Sequence, residues 1–183
     1  MRYGFKAFAE KLAAQERAAV GLSLHDRFDP WHFATYMQVC VLAYEKLKLA
    51  TEHSEQLTKV DVGSWSGVTL SEAGKYFVVL NPKHDLRRQR NTLTHELAHI
   101  KLGHIANRIE VSISGAILLG EYADDQEQEA DWLSGTLLVP REGLLKLRKK
   151  GVSTEQIANF FEVSTDLCEW RLRMTGIDRQ LKK

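Results

Sequence analysis

Residues 91–104 read NTLTHELAHIKLGH. His95 and His99 stand four apart, and Glu96 directly follows the first of them. On a helix, residues four apart share a face, so the two imidazoles point the same way. Two imidazoles from neighbouring turns can take adjacent corners of a zinc tetrahedron. Glu96 leaves that face by about 100° of helix rotation. It can therefore lean toward a metal-bound water without being a ligand itself. This is the arrangement of a metal-dependent peptidase, with Glu96 as the general base. The competing reading of the same residues is a solvated helix face with two incidental histidines.

A peptidase zinc takes a third protein ligand and leaves the fourth position to water. The supply lies downstream in EYADDQEQEADWLSGTLLVP, residues 121–140, which offers Glu127, Glu129 and Asp131. Glu127 and Asp131 are four apart and share a helix face. One can bind metal while the other holds a ligand histidine by its second nitrogen. Glu129 falls on a different face. The expected set is His95, His99 and Glu127 as ligands with Asp131 behind a histidine, and Glu129 is the alternative third ligand. Asp124 and Asp125 need no metal, because acids suit the positive end of a helix dipole. Asp131 is less easily dismissed, since Trp132 and Leu133 follow it. One zinc per chain is expected, with another divalent metal possible in the cell. His104, beyond Gly103, is expected to be a capping or structural residue rather than a fourth ligand. Tyr76 and Tyr122 carry hydroxyls that could face an oxyanion, and neither is assigned that role.

The elements that must position these residues are partly legible. Phe5, Phe8, Leu12 and Ala13 recur at helical spacing, and Gly21 can end that helix. Asp29-Pro30 is a helix start, with Asp as the cap and Pro in the first position. MQVCVLA, residues 37–43, can finish that helix or become a strand. Residues 60–81 suggest short strands, KYFVVL (75–80) most clearly. Helical patterning runs from Leu86 to about Leu102, with Gly103 just past the end. VSISGAILLG (111–120) suits a strand or a loop. A further helix is expected over 124–138, stopped by Pro140. Three short helices then follow at 141–149, 154–161 and 165–174.

The chain as a whole excludes several classes. Its 183 residues suit one domain or one domain with an appendage, and 44% apolar and 27% charged content are ordinary for a globular protein. A formal net charge of +1 gives no overall pull toward nucleic acid or membrane. Cys40 and Cys168 are the two cysteines, in no CxxC pair, which argues for reduced thiols rather than a disulfide framework. The charged N-terminus lacks the apolar run of a signal peptide, and no segment is apolar enough to span a bilayer. A cytoplasmic location is expected. No GxSxG motif or phosphate-binding glycine loop offers a rival centre.

LNPKHDLRRQRNTLTHELAHIKLGH, followed by EQEADWLSGTLLVP, resembles the ImmA/IrrE family of metallo-endopeptidases. The resemblance extends to ERAAVGLSLHDRFDPWHFATYMQVCV and to the tail VSTEQIANFFEVSTDLCEWRLRMTG, and so covers most of the chain. It implies an α+β, zincin-like domain of helices packed on a short sheet. The expected division is residues 1–140 for that domain and 141–183 for a helical C-terminal segment. Matched residue by residue, the family implies His95, His99 and Glu127 as zinc ligands and Glu96 as base. It also implies a substrate, a helix-turn-helix transcriptional repressor, whose cleavage derepresses stress or mobile-element genes.

TEQIANFFEVSTDLCEWRL has the outline of a helix-turn-helix. Residues 141–183 carry ten Lys+Arg against six Asp+Glu, a local net of +4. Yet Glu162, Asp166 and Glu169 fall where such a motif would meet DNA, and acids there repel phosphates. A cap on the catalytic domain is the preferred reading over direct DNA binding through 154–174. Two functions are therefore weighed. One is a zinc endopeptidase that makes limited cuts in a regulator. The other is a catalytically silent, metal-stabilised module that binds a regulator or DNA. A binding module has no need of a general base, and Glu96 favours the enzyme.

Overall fold

The computed structural model describes residues 1–43, 65–106, 108–111, 117–120 and 122–181, with backbone alone at 108–111 and 117–120. Part of the strand-rich stretch expected at 60–81 lies outside these residues.

Helix α1 (Phe5–Ala19) buries Phe5, Ala9, Ala13 and Arg17, a stripe at intervals of four. Helix α2 (Pro30–Tyr36) starts as its first residues require: the Asp29 carboxylate accepts from the Trp31 amide at 2.9 Å, and Pro30 sits in the first turn. The ambiguous MQVCVLA resolves just after it. Gln38 takes φ 58°, which ends helical geometry, and Cys40–Leu42 emerges as strand β1. Strands β2 (Gly67–Glu72) and β3 (Lys75–Leu80) form a hairpin with Glu72 opposite Lys75. Ala73 and Gly74 between them both have positive φ, the backbone that a two-residue hairpin turn of matching twist demands.

Strands β4 (Arg108–Val111) and β5 (Ile117–Gly120) complete a five-stranded sheet of order β1-β3-β2-β5-β4. The stretch expected as strand or loop at 111–120 thus contributes the end of β4 and all of β5. Among the described residues the β1–β3 pair is parallel, and β2–β3, β2–β5 and β4–β5 are antiparallel.

Helix α3 (Leu86–Leu102) is capped by Asp85 and closed by Gly103 at φ 64°. It packs against β2 and, more extensively, against helix α4 (Asp124–Leu138). The approach to β2 is close: a Cβ on Gly67 would lie 2.6 Å from Thr92 Cγ2. Helices α5 (Arg141–Lys149), α6 (Thr154–Phe161) and α7 (Thr165–Thr175) follow, with α8 (Ile177–Leu181), which the periodicity does not reveal. Ser153 and Ser164 cap α6 and α7. Leu144, Ile157, Phe161 and Leu172 from these helices are buried in the same apolar cluster as Phe33, Leu97, Leu133 and Leu137. The architecture is α+β, as expected. Among the described residues no helix is long and apolar enough to cross a membrane.

Two buried arginines close the C-terminal end of α4. Arg17 donates to the carbonyls of Leu137, Ser23 and Asp26, and Arg171 donates to Val139 O at 3.0 Å and to Glu10 at 2.7 Å. Burial pulls the Arg17 pKa down to about 10, so it remains charged at neutral pH. Arg17→Ala leaves three carbonyls without this donor and opens a void. Such losses cost about 3 kcal/mol, or roughly 10 °C of Tm for a chain of this size. Thermal unfolding followed by circular dichroism checks this. A loss under about 1 kcal/mol would mean that the carbonyls find other donors.

Candidate metal centre

The centre forms where α3 meets α4. His95 and His99 leave successive turns of α3, and their Nε2 atoms come within 3.0 Å of each other. Glu127 leaves the first turn of α4, with Oε2 3.1 Å from His95 Nε2 and 3.7 Å from His99 Nε2. Zinc bonds of 2.0–2.1 Å at tetrahedral angles set ligand atoms about 3.3 Å apart. The three observed separations straddle that value. Two neutral-capable imidazoles and one carboxylate are also the donor set of catalytic zinc sites. The residues present therefore fit a divalent ion, and they are the one such cluster among the described residues.

Each imidazole is turned by a partner on its other nitrogen. His95 Nδ1 lies 3.1 Å from Asp131 Oδ1 on α4. His99 Nδ1 lies 3.0 Å from His104 Nδ1. His104 reaches it because Gly103 adopts the left-handed conformation and turns the chain back over the end of α3. Glu129 does not join the cluster. Its buried carboxylate lies 3.5 Å from His104 Nε2 and is clasped by Arg2. Of the three acids, the fold brings Glu127 to the histidines, Asp131 behind His95 and Glu129 behind His104.

The charges follow from this geometry. Burial opposes a proton on His95, but the carboxylates of Asp131 and Glu127 outweigh it and hold the pKa up at about 10. Burial, with the neighbouring His95 charge, pushes His99 down to about 3. The hydrogen bond with His95 keeps Glu127 below the ordinary carboxylate range. Two imidazoles this close cannot both be cations, and the acids around them favour one positive charge at the centre. A divalent ion answers the same demand more fully.

Glu96 sits beside the cluster on α3, half-buried. Its Oε2 accepts a 2.5 Å hydrogen bond from Thr69 Oγ1 on β2. Burial pushes its carboxyl above the ordinary range, and the Thr69 bond works against that rise. Gly67 on the same strand admits Thr92 of α3, and a Cβ there would meet Glu96 Cγ only in ordinary contact at 3.5 Å.

Tyr122 lies flat against the His99 ring, centroids 3.7 Å apart and planes 23° from parallel. Sequence reasoning weighed its hydroxyl and missed its face. It also missed Thr69 and Arg2, which lie 27 and 127 positions from their partners. Of these, Arg2 had no local signal at all, and Thr69 had only its place on an expected strand.

The geometry makes Glu127 the acid whose loss matters most to metal. Glu127→Gln keeps the shape and removes the charge, so zinc affinity should fall by about tenfold or more, measured by equilibrium dialysis against a chelator. Wild-type affinity in that variant would place the third donor elsewhere.

Residues 48–173 match the family described as the IrrE N-terminal-like domain. The match spans more than half of the chain and takes in β2, β3, α3 and α4 with His95, Glu96, His99 and Glu127. A search of the curated proteins finds no match. The signature that helices α3 and α4 bring together lies within this match, while the resemblance read at residues 16–41 lies outside it, and the chain belongs to the ImmA/IrrE family of metallopeptidases.

Proposed function

We propose that the chain is a zinc-dependent endopeptidase that acts in the cytoplasm and makes limited cuts in a regulatory protein, a transcriptional repressor of the helix-turn-helix type. The observation that carries this reading is Glu96, a carboxylate outside the three-donor cluster yet held next to it by Thr69. A purely structural metal site has no use for such a group. The repressor as substrate rests on the family resemblance, and the cytoplasm on two unpaired cysteines.

His95, His99 and Glu127 would hold the ion, with Asp131 and His104 keeping the two rings turned. When bound, the metal supplies Lewis acidity, which makes a water acidic near pH 7 and polarises a peptide carbonyl. Glu96 takes the proton of the attacking water on the oxygen not shared with Thr69. It then delivers that proton to the leaving nitrogen. Its raised pKa suits both halves of this task, since a base that is too weak an acid or too strong a one fails at one of them.

The C-terminal helices favour a protein partner over DNA. Glu162, at the turn between α6 and α7, is paired with Arg27 and lies 3.4 Å from the buried Arg90, so the exposed cation that could meet phosphates there is already engaged. The reading of a silent binding module is separated from the enzyme by one variant. Glu96→Gln should keep zinc and partner binding while cleavage falls by roughly 10²–10⁴-fold. His99→Ala should lose the metal. The assay is incubation of each protein with a helix-turn-helix regulator encoded beside it, followed by intact-mass analysis, with zinc quantified in every sample. Tight binding without fragments from the zinc-loaded wild type would establish the module. Equal cleavage by wild type and Glu96→Gln would remove Glu96 from the mechanism.

A further inference from the structure

We propose that Arg2, Glu129 and His104 are positioning residues for His99, and that together they select the tautomer that leaves His99 Nε2 free for a metal ion. This rests on the reading of His95, His99 and Glu127 as the ligands.

The argument begins at the buried end. Glu129 is 3% exposed, and a carboxylate there needs compensation. Arg2 supplies it from the segment before α1. Its Nε lies 3.0 Å from both carboxylate oxygens, its Nη2 2.7 Å from Oε2, and its backbone N–H donates to Oε1 at 2.7 Å. Glu129 is thereby fixed as an ionised group that only accepts.

His104 is enclosed between that acceptor and His99. Its side chain is 5% exposed, with Nε2 3.5 Å from Glu129 Oε2 and Nδ1 3.0 Å from His99 Nδ1. A neutral imidazole has one N–H and one lone pair. Facing a carboxylate, His104 favours its N–H on Nε2, which leaves the lone pair on Nδ1. His99 must then donate from Nδ1, and its own lone pair falls on Nε2, the atom that faces His95 and Glu127. The donors converge on Glu129: Arg2 donates to it from one side, and its charge, 3.5 Å from His104 Nε2, sets the proton on that nitrogen so that His99 donates to His104 from the other. Without the Glu129 charge the direction is no longer set. His104 can donate to His99, whose proton then moves to Nε2 and occupies the lone pair that the metal needs. Asp131 does the same service for His95 with one carboxylate and no relay.

A plain structural role is the competing account: Arg2 and Glu129 would staple the N-terminal segment to α4. The two differ in what they do to zinc and to the rings. The experiment uses the full chain. Zinc affinity is measured by competition with a chromophoric chelator, and the histidine tautomers of the metal-free protein are read from ring ¹⁵N shifts. Glu129→Gln should weaken zinc by roughly 10- to 100-fold and turn His99 from the Nδ1–H tautomer into a mixture. Arg2→Gln should move both readouts the same way by a smaller factor. Arg2 has a side chain 64% exposed, so this variant tests the idea even if Glu129→Gln does not fold. Lys101→Met is the control. Lys101 lies on the same helix as His99, and the variant removes its 2.7 Å pair with Glu16 of α1 and should leave zinc affinity unchanged. Unchanged zinc affinity and tautomers in Glu129→Gln, or in Arg2→Gln if the former is unfolded, overturn the proposal. So does an equal loss in Lys101→Met, which would mark general loosening. If Glu127→Gln and His99→Ala bind zinc like wild type, the ligand assignment itself has failed, and the relay with it.

Discussion

Three side-chain atoms that would each prefer water are held within 4 Å of one another by the packing of α3 on α4. That contact is the constraint around which the rest of the molecule is organised. The two helices bring apolar faces together through Leu97, Leu133 and Leu137, and burial of those side chains holds the polar ends in place. The free energy comes from the apolar part of the interface. The polar part crowds two imidazoles and a carboxylate, a donor set that a divalent cation would balance. The far end of helix α4 is fixed too, by two buried guanidinium groups that donate to the Leu137 and Val139 carbonyls.

The surroundings of the cluster are layered by chemistry. The ligand candidates come from helices, where spacing is rigid. Their orienting partners come from wherever the fold can reach: Asp131 from the next turn of α4, His104 from beyond a left-handed glycine, Tyr122 from the segment before α4, and Arg2 from the other end of the chain. Glu96 is oriented from the sheet instead, by Thr69 on β2. The sheet thus orients Glu96, and the helices hold the three candidate ligands together. The close approach at Gly67 is what lets β2 and α3 share that duty.

The C-terminal helices are bound into the same apolar cluster as the site helices. Arg87 on α3 donates to Asn159 at 2.7 Å and to the Val163 carbonyl, so α6 is tied to the helix that carries the histidines.

Much of this was legible in the residues alone. Local rules set the bounds of α3, because Asp85 caps its start and Gly103 relaxes its end, and those are properties of single side chains. The four-residue spacing of His95 and His99 put them on one face for the same local reason. The Asp29-Pro30 start and the Pro140 stop behaved likewise. Where periodicity gave no preference, at 37–43, a positive φ at Gln38 and pairing with a strand over 30 residues away settled the matter. The choice among Glu127, Glu129 and Asp131 was the same kind of problem. All three lie within five residues on one helix, and spacing alone separates them only into faces. Which face meets α3 is decided by how two helices pack, and that depends on the whole apolar cluster. Arg2, Thr69 and the ring of Tyr122 were beyond reach for the same reason: a hydrogen bond or a stacked ring across a fold leaves no mark on either residue's neighbours in sequence.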